Sequence, residues 1–259
     1  MTRAPRRVAL VALGLALAMV LPGAVSANHS WGSYHWARTA NPFTLKLGDN
    51  VTSAWDSYLA TTSSDWSASS VLNTDVVAGS ANPRTCKATT GMVQVCNRTY
   101  GNNGWLGVAG IYITGGTHIT KAYVKVNDTY FNTATYNTPA WRNLVMCQEV
   151  GHTFGLDHQD ENFSNANLGT CMDYTNNPSS NQHPNAHDYA QLEAIYAHVD
   201  SSSTVSASPA SGPGGGRGKA ADAAWGNLLK VTNHGHGAWY VRDLGAGNLV
   251  LTHVLWADR

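Results

Sequence analysis

The sequence predicts an α+β fold: one domain of interleaved strands and helices, followed by a small β-rich tail. Three observations carry this expectation. Stretches that alternate apolar and polar residues interleave with apolar stripes at helical spacing. A run rich in Ser, Pro and Gly from 201 to about 220 then interrupts the chain with almost nothing to bury. Beyond it, Trp and β-branched residues return between Gly turns. The 259 residues leave room for one core of the usual size, about 100–200 residues, plus such appendages.

Taken in order, the chain opens with Arg3, Arg6 and Arg7, an apolar run from Val8 to Val20 too short to span a bilayer, and small residues ending at Ala27. This is the pattern of a secretory signal peptide over residues 1–27, so the protein is expected to be secreted. A main domain over 28–200 follows. Pro42 to Leu47 alternates as a half-buried strand does, and Val51, Trp55, Tyr58 and Leu59 recur at helical spacing behind Asn50, a good N-cap residue. The Ser- and Thr-rich stretch from Ala60 to Asn82 reads as mostly loop with a short strand at Val76–Val77.

From Gly107 to Val126 the pattern gives two strands around a Gly115-Gly116 turn. Pro139 opens a helix whose face is Trp141, Leu144, Val145 and Gln148, and a further helix is expected from Ala186 to His198 behind Pro184. Residues 201–220 form the expected linker. The remaining 221–259 form the β-rich module, too short for ready independent stability and so expected to dock on the main domain.

Charge excludes some functions. Charged residues are 12% of the chain, with 16 Lys and Arg against 16 Asp and Glu, so no strong field points toward nucleic acid or an anionic membrane. No stretch after the leader is apolar for long enough to cross a membrane, and a monomer is expected. Four cysteines in an exported chain read as disulfides, with three possible pairings. Cys86–Cys96, closing a short polar loop, and Cys147–Cys171, tying the segments before Gln148 and Met172, are the favoured ones. A zinc-thiolate site is the weaker reading, since no two cysteines have its close spacing.

The chemistry concentrates between Gln148 and His158. On a helix, Gln148 and His152 lie on one face about 6 Å apart along the axis, so both can point at one ion, with Glu149 beside them. Gly155 can take a conformation other residues resist, ending the helix and letting His158 return to the same ion. Three protein ligands leave one position for water, as in a catalytic zinc site. Zinc lowers the pKa of such a water toward about 7, and Glu149 is the candidate general base for its proton.

Gln148-Glu149-Val150-Gly151-His152-Thr153-Phe154-Gly155-Leu156-Asp157-His158 resembles the long motif of the metzincin metalloproteases, His-Glu-x-x-His-x-x-Gly-x-x-His. It matches at every fixed position except the first, where Gln replaces His. Cys171-Met172-Asp173-Tyr174 is similar to the family's Met-turn. The resemblance spans roughly 41–200. It implies a metzincin-like catalytic domain with a twisted mixed sheet, an active-site helix, a Met-turn and a C-terminal helix, and it implies Zn2+ as cofactor, with Met172 as an apolar floor beneath the ligands. Tyr174 takes the place of a Tyr that, in the astacin-like and serralysin-like branches, ligates zinc or stabilises the reacting oxyanion.

The expected activity is therefore a secreted zinc-dependent endopeptidase acting on protein or peptide substrates, with Gln148, His152 and His158 as metal ligands and Glu149 and Tyr174 as catalytic residues. Amide oxygen is a poorer zinc donor than imidazole, which motivates the alternative: a catalytically impaired metzincin-fold protein serving as a binding or structural module. His118, His183 and His187 are weaker candidates to supply the missing imidazole. His234 and His236 read as a surface turn.

Overall fold

The computed structural model describes residues 29–206, 225–232 and 235–257. The expected signal peptide and most of the expected linker lie outside the described residues. Within them, the chain forms one mixed nine-stranded sheet with helices packed on it.

The first long strand, β2 (Phe43–Asn50), follows a two-residue β1 (His35–Trp36) and buries Phe43, Leu45 and Leu47 on one face, as its alternation requires. Helix α1 spans Asp56–Trp66 and starts later than the sequence suggests. Asn50 does not cap it. Its side-chain amide instead donates to Gln94 Oε1 at 2.6 Å, and its Oδ1 accepts from the Ala81 backbone at 2.8 Å. The Ser/Thr-rich stretch is likewise not mostly loop. Its first part completes α1, and Leu72–Ala78 forms β3, parallel to β2. Hydroxyls make this possible: Ser67 Oγ accepts from the Thr74 backbone at 2.8 Å, and Thr74 Oγ1 donates to the Ser63 carbonyl at 2.8 Å, tying strand to helix.

β4 (Met92–Arg98), for which the sequence raised no expectation, joins β2 in parallel and carries Cys96, which is disulfide-bonded to Cys86. β5 (Trp105–Thr114) and β6 (His118–Asn127) form the antiparallel pair around Gly115-Gly116. A short α2 (Asp128–Phe131) leads to α3 (Pro139–His152), and α4 (Ala186–Ile195) closes the main fold behind a capping box between Asn185 and Asp188. Helices α1 and α3 touch each other and lie on the same face of the sheet, α1 over β2 and β3, α3 over β5 and β6.

The tail is part of this sheet. β7 (Asn227–Val231), β8 (Gly237–Gly245) and β9 (Asn248–Trp256) extend it so that the order is β3-β2-β4-β6-β5-β9-β8-β7, while β1 pairs with β6. β9 runs antiparallel to β5 from Leu249 opposite Ile113 to Trp256 opposite Trp105. Leu251 and Leu255 join the main core cluster beneath the helices, and Val254 packs on the other face with Trp105 and Val108. Residues 201–206 also belong to the body: the Thr204 backbone donates to Ala37 at 2.9 Å and its hydroxyl to Ile119 at 2.6 Å. Among the described residues, no helix is long and apolar enough to cross a membrane.

Because β9 shares the core of the main fold, Leu251→Ala should lower the stability of the whole chain by about 2–5 kcal/mol, the usual cost of emptying a buried Leu site. Urea unfolding followed by Trp fluorescence and by far-UV circular dichroism should give one coincident, shifted transition. A separate early transition for the tail, with the main one unmoved, would show that the two do not share a core.

Candidate metal centre

The centre is positioned by where α3 begins and where it is forced to end. Thr138 caps the first turn by accepting from the Trp141 backbone at 3.2 Å, and Pro139 occupies the first helical position, where no N–H is needed. Each residue from Leu144 to His152 is then buried, since the helix packs against α1 on one side and rests on the sheet. Over Gly107 of β5 the approach leaves no room for a side chain: a Cβ there would come within 2.6 Å of Glu149 Oε1. Gly155 terminates the helix with φ of +95°, a conformation a side chain resists, and any Cβ there would strike the Tyr34 carbonyl. The chain turns back along residues 29–31: the Trp31 backbone donates to Gly155 at 2.6 Å and Asp157 to His29 at 2.7 Å. His158 thereby returns to His152.

The two rings meet with their Nε2 atoms 3.1 Å apart. Two nitrogens bound to one zinc ion at about 2.0–2.1 Å in tetrahedral array lie about 3.3 Å apart. The tautomer suits a ligand. His152 Nδ1 donates to the Leu156 carbonyl at 2.9 Å, which leaves Nε2 with a lone pair, and orienting contacts of this kind accompany most metal-bound histidines.

A third imidazole completes the group. His253, in β9 opposite Ala109 of β5, is fully buried, and its ligand nitrogen lies within 4.8 Å of those of His152 and His158. Its Nδ1 is 3.2 Å from Glu149 Oε2 and its Nε2 is 2.9 Å from the Tyr174 hydroxyl. Trp239 of β8 stands against both His158 and His253. Gln148, expected as a ligand, donates through Nε2 to the Cys171 carbonyl at 2.8 Å, while its Oε1 is buried with no hydrogen-bond partner. Glu149 Oε1 and His158 Nδ1 are orphaned in the same way. A cation with three imidazole donors fits this set: it would supply the opposite charge that a buried carboxylate lacks.

Burial governs the protonation of the metal-free centre. Desolvation raises Glu149 to about 8, opposed by His152. Desolvation, and after it His253, lowers His152 to about 3; desolvation, and after it Lys230, lowers His253 to about 3. His158 is held well below the ordinary histidine value by burial first and by His152 next. Burial also holds the Tyr174 hydroxyl well above its ordinary value, so it is a neutral donor.

Met172 lies under the helix, where a Cβ on Gly151 would come within 2.7 Å of its Sδ. Its turn is fixed twice. Thr170 Oγ1 accepts from the Met172 backbone at 3.0 Å and donates to Asp188 of α4, and the Cys147–Cys171 disulfide joins the turn to α3. Tyr174 stacks near His158, with ring centroids 4.0 Å apart. His183 contacts Asp65 and His187 stacks on His29, so neither joins the centre, and His118 lies in a separate group with Asp200.

His253 was missed in the sequence, although a signal existed. In Leu249-Val250-Leu251-Thr252-His253-Val254-Leu255 the histidine shares its parity with three leucines, which places it on the core face of a strand.

No protein-family model matches the chain, and no curated protein matches it. Among solved structures, it is similar to myroilysin at 13% identity with a TM-score of 0.38, over 66% of this chain and 99% of that one. It is also similar to high choriolytic enzyme 1, a hatching enzyme zinc-protease from Oryzias latipes (medaka fish), at 8% identity with a TM-score of 0.36, over 66% and 98%. Likeness at this level does not assign a family.

Each of the three rings is harder to protonate folded than unfolded, so as pH falls below about 6.5 the unfolded chain takes up protons first. Metal-free protein should therefore lose stability progressively from pH 6.5 toward 3. Glu149 acts in the opposite sense, its contribution being lost as pH rises from about 4.5 through 8. Chemical denaturation of chelator-treated protein from pH 8 to 4 checks this, since three rings outweigh one carboxyl below 6.5. A midpoint that rises steadily on acidification would contradict rings buried neutral.

Proposed function

We propose that the chain is a zinc-dependent endopeptidase whose ion is held by His152, His158 and His253, with Glu149 as the group that carries the proton. The observation that carries this reading is the pair of facing imidazole nitrogens, 3.1 Å apart, with a buried carboxylate from the same helix alongside. Zinc, when bound, supplies Lewis acidity that acidifies water and polarises a carbonyl. The remaining work falls to the chain. Glu149 would take a proton at Oε1, its unpartnered oxygen, and release it to the leaving amine, while Oε2 stays on His253 Nδ1. A cation among the rings favours the carboxylate form this role requires, against the upward push of burial. Tyr174, kept protonated by burial, would donate a hydrogen bond to the oxyanion that develops on the substrate. Met172 supplies the apolar floor. Gln148, anchored on Cys171, replaces the motif's first imidazole in sequence but not in donor chemistry.

A second reading has its own observation. Glu149, His152 and His253 are completely buried, and β9 occupies the hydrogen-bonding edge of β5. The cleft lined by Tyr174, Leu255 and Trp256 does not reach Glu149, His152 or His253. Cleavage requires β8 and β9 to give way. If they never do, the same centre serves a non-catalytic binding or structural module, with zinc as a staple between α3 and the C-terminal strands.

Zinc content and casein cleavage, measured for wild type, Glu149→Ala and Gln148→His, separate the two. On the endopeptidase reading the wild type holds zinc and cleaves, and Glu149→Ala keeps zinc while losing about 10²–10⁴-fold in rate. Zinc without cleavage above the Glu149→Ala level, whatever Gln148→His does, would favour the module. If none of the three proteins holds metal, both readings fall.

A further inference from the structure

A second group of ligand-type side chains gathers outside the buried centre, from three distant parts of the chain. His35 lies in β1, His118 opens β6, and His198 and Asp200 follow α4. Parallel pairing of β1 with β6 places His35 directly opposite His118. The Asp200 backbone donates to the Arg38 carbonyl at 2.8 Å, which brings the segment after α4 to the same edge. None of these residues contributes to the proposed protease chemistry.

The polar atoms of His35, His198 and Asp200 converge, all within 4.8 Å of one another, and His118 meets them at Asp200. Asp200 Oδ1 lies 3.4 Å from His35 Nε2, 3.2 Å from His118 Nε2 and 3.7 Å from His198 Nε2. His198 Nε2 lies 3.2 Å from His35 Nε2. Donors sharing one zinc-sized ion at about 2.0–2.2 Å stand about 3.3 Å apart, so this spacing suits a single ion. The outer contacts are those of a prepared site. His35 Nδ1 donates to the Ser33 carbonyl at 2.8 Å, so its Nε2 carries the lone pair. Asp200 Oδ2 accepts from the Arg38 backbone at 3.1 Å and its guanidinium at 3.0 Å, which aims Oδ1 at the three rings. His35 and Asp200 are nearly buried, whereas the His198 side chain is 53% exposed, so an ion can enter from solvent.

We propose that His35, His198 and Asp200 bind a divalent transition metal of the zinc type, with His118 beside them as a partner of Asp200 Oδ1. Imidazole with one carboxylate selects such an ion over calcium or magnesium, which take mainly oxygen donors. Three protein donors from separate segments tie those segments together and leave one position for water on the exposed side. The ion pins β1 and the segment leading from α4 to residue 206 to one another.

The test is titration of metal-free full-length protein with Zn2+ against a chromophoric chelator, and with Co2+ followed by visible absorption. His198→Ala alters an exposed side chain and should fold normally. It should take up one equivalent fewer than wild type, whether or not the buried centre also fills. Asp200→Asn should weaken the same class of site by more than the roughly 10–100-fold lost with an outer-shell partner. Zn2+ should raise the melting temperature of a His152→Ala/His158→Ala protein, and adding His198→Ala should abolish that rise. Equal stoichiometry in wild type and His198→Ala would overturn the proposal and leave an ordinary His–Asp hydrogen-bond network. The Glu149 reading would be untouched, because it concerns the other site.

Discussion

The structure depends on how the edge of β5 is satisfied. Helix α3 lies over this strand so closely that Gly107 faces Glu149 with no space for a Cβ, and the strand's outer row of N–H and C=O groups has to find partners. β9 supplies them along almost its whole length. A pairing register fixes side-chain parity, because successive residues on a strand point to opposite faces. Once Ala109 is opposite His253, the ring must enter the layer beneath α3, between Leu251 and Leu255. The edge pairing that completes the sheet thus also completes the group of imidazoles.

That coupling explains why the centre is at once well furnished and closed. Three neutral imidazoles, a carboxyl and a phenol in a buried interior leave Gln148 Oε1, Glu149 Oε1 and His158 Nδ1 without hydrogen-bond partners. Buried polar atoms of this kind are costly unless something is bound among them. The same strands that deliver His253 cover the approach to Glu149. Binding and access are therefore opposed in this arrangement, and on the proposed endopeptidase reading cleavage depends on displacement of β8 and β9.

The elements that were legible in the sequence are those whose stabilising partners are local. The alternation in Phe43 to Leu47, the Gly115-Gly116 turn between β5 and β6, and the Pro139 start of α3 each follow from neighbours a few residues away. α1 and β3 were obscured because their ends are set by distant contacts. Asn50 is drawn to Gln94 and Ala81 instead of capping a helix, and Ser63, Ser67 and Thr74 bind one another across the helix–strand gap. Polar residues that look like loop become structural once a partner lies within reach. β4 escaped notice because it is buried on both faces between β2 and β6 and so shows little alternation.

By itself, the sequence determined the local logic of the centre: a capped helix bearing Gln148, Glu149 and His152, a Gly155 that ends it, and a chain that can return through His158. These depend on helical geometry and on the conformations open to glycine, both of which act within a few residues. Only the tertiary structure decided that the third imidazole comes from position 253. A contact across 95 residues between His158 and His253 is set by strand register and by the parity of buried side chains, and no local preference encodes the pairing of β9 with β5.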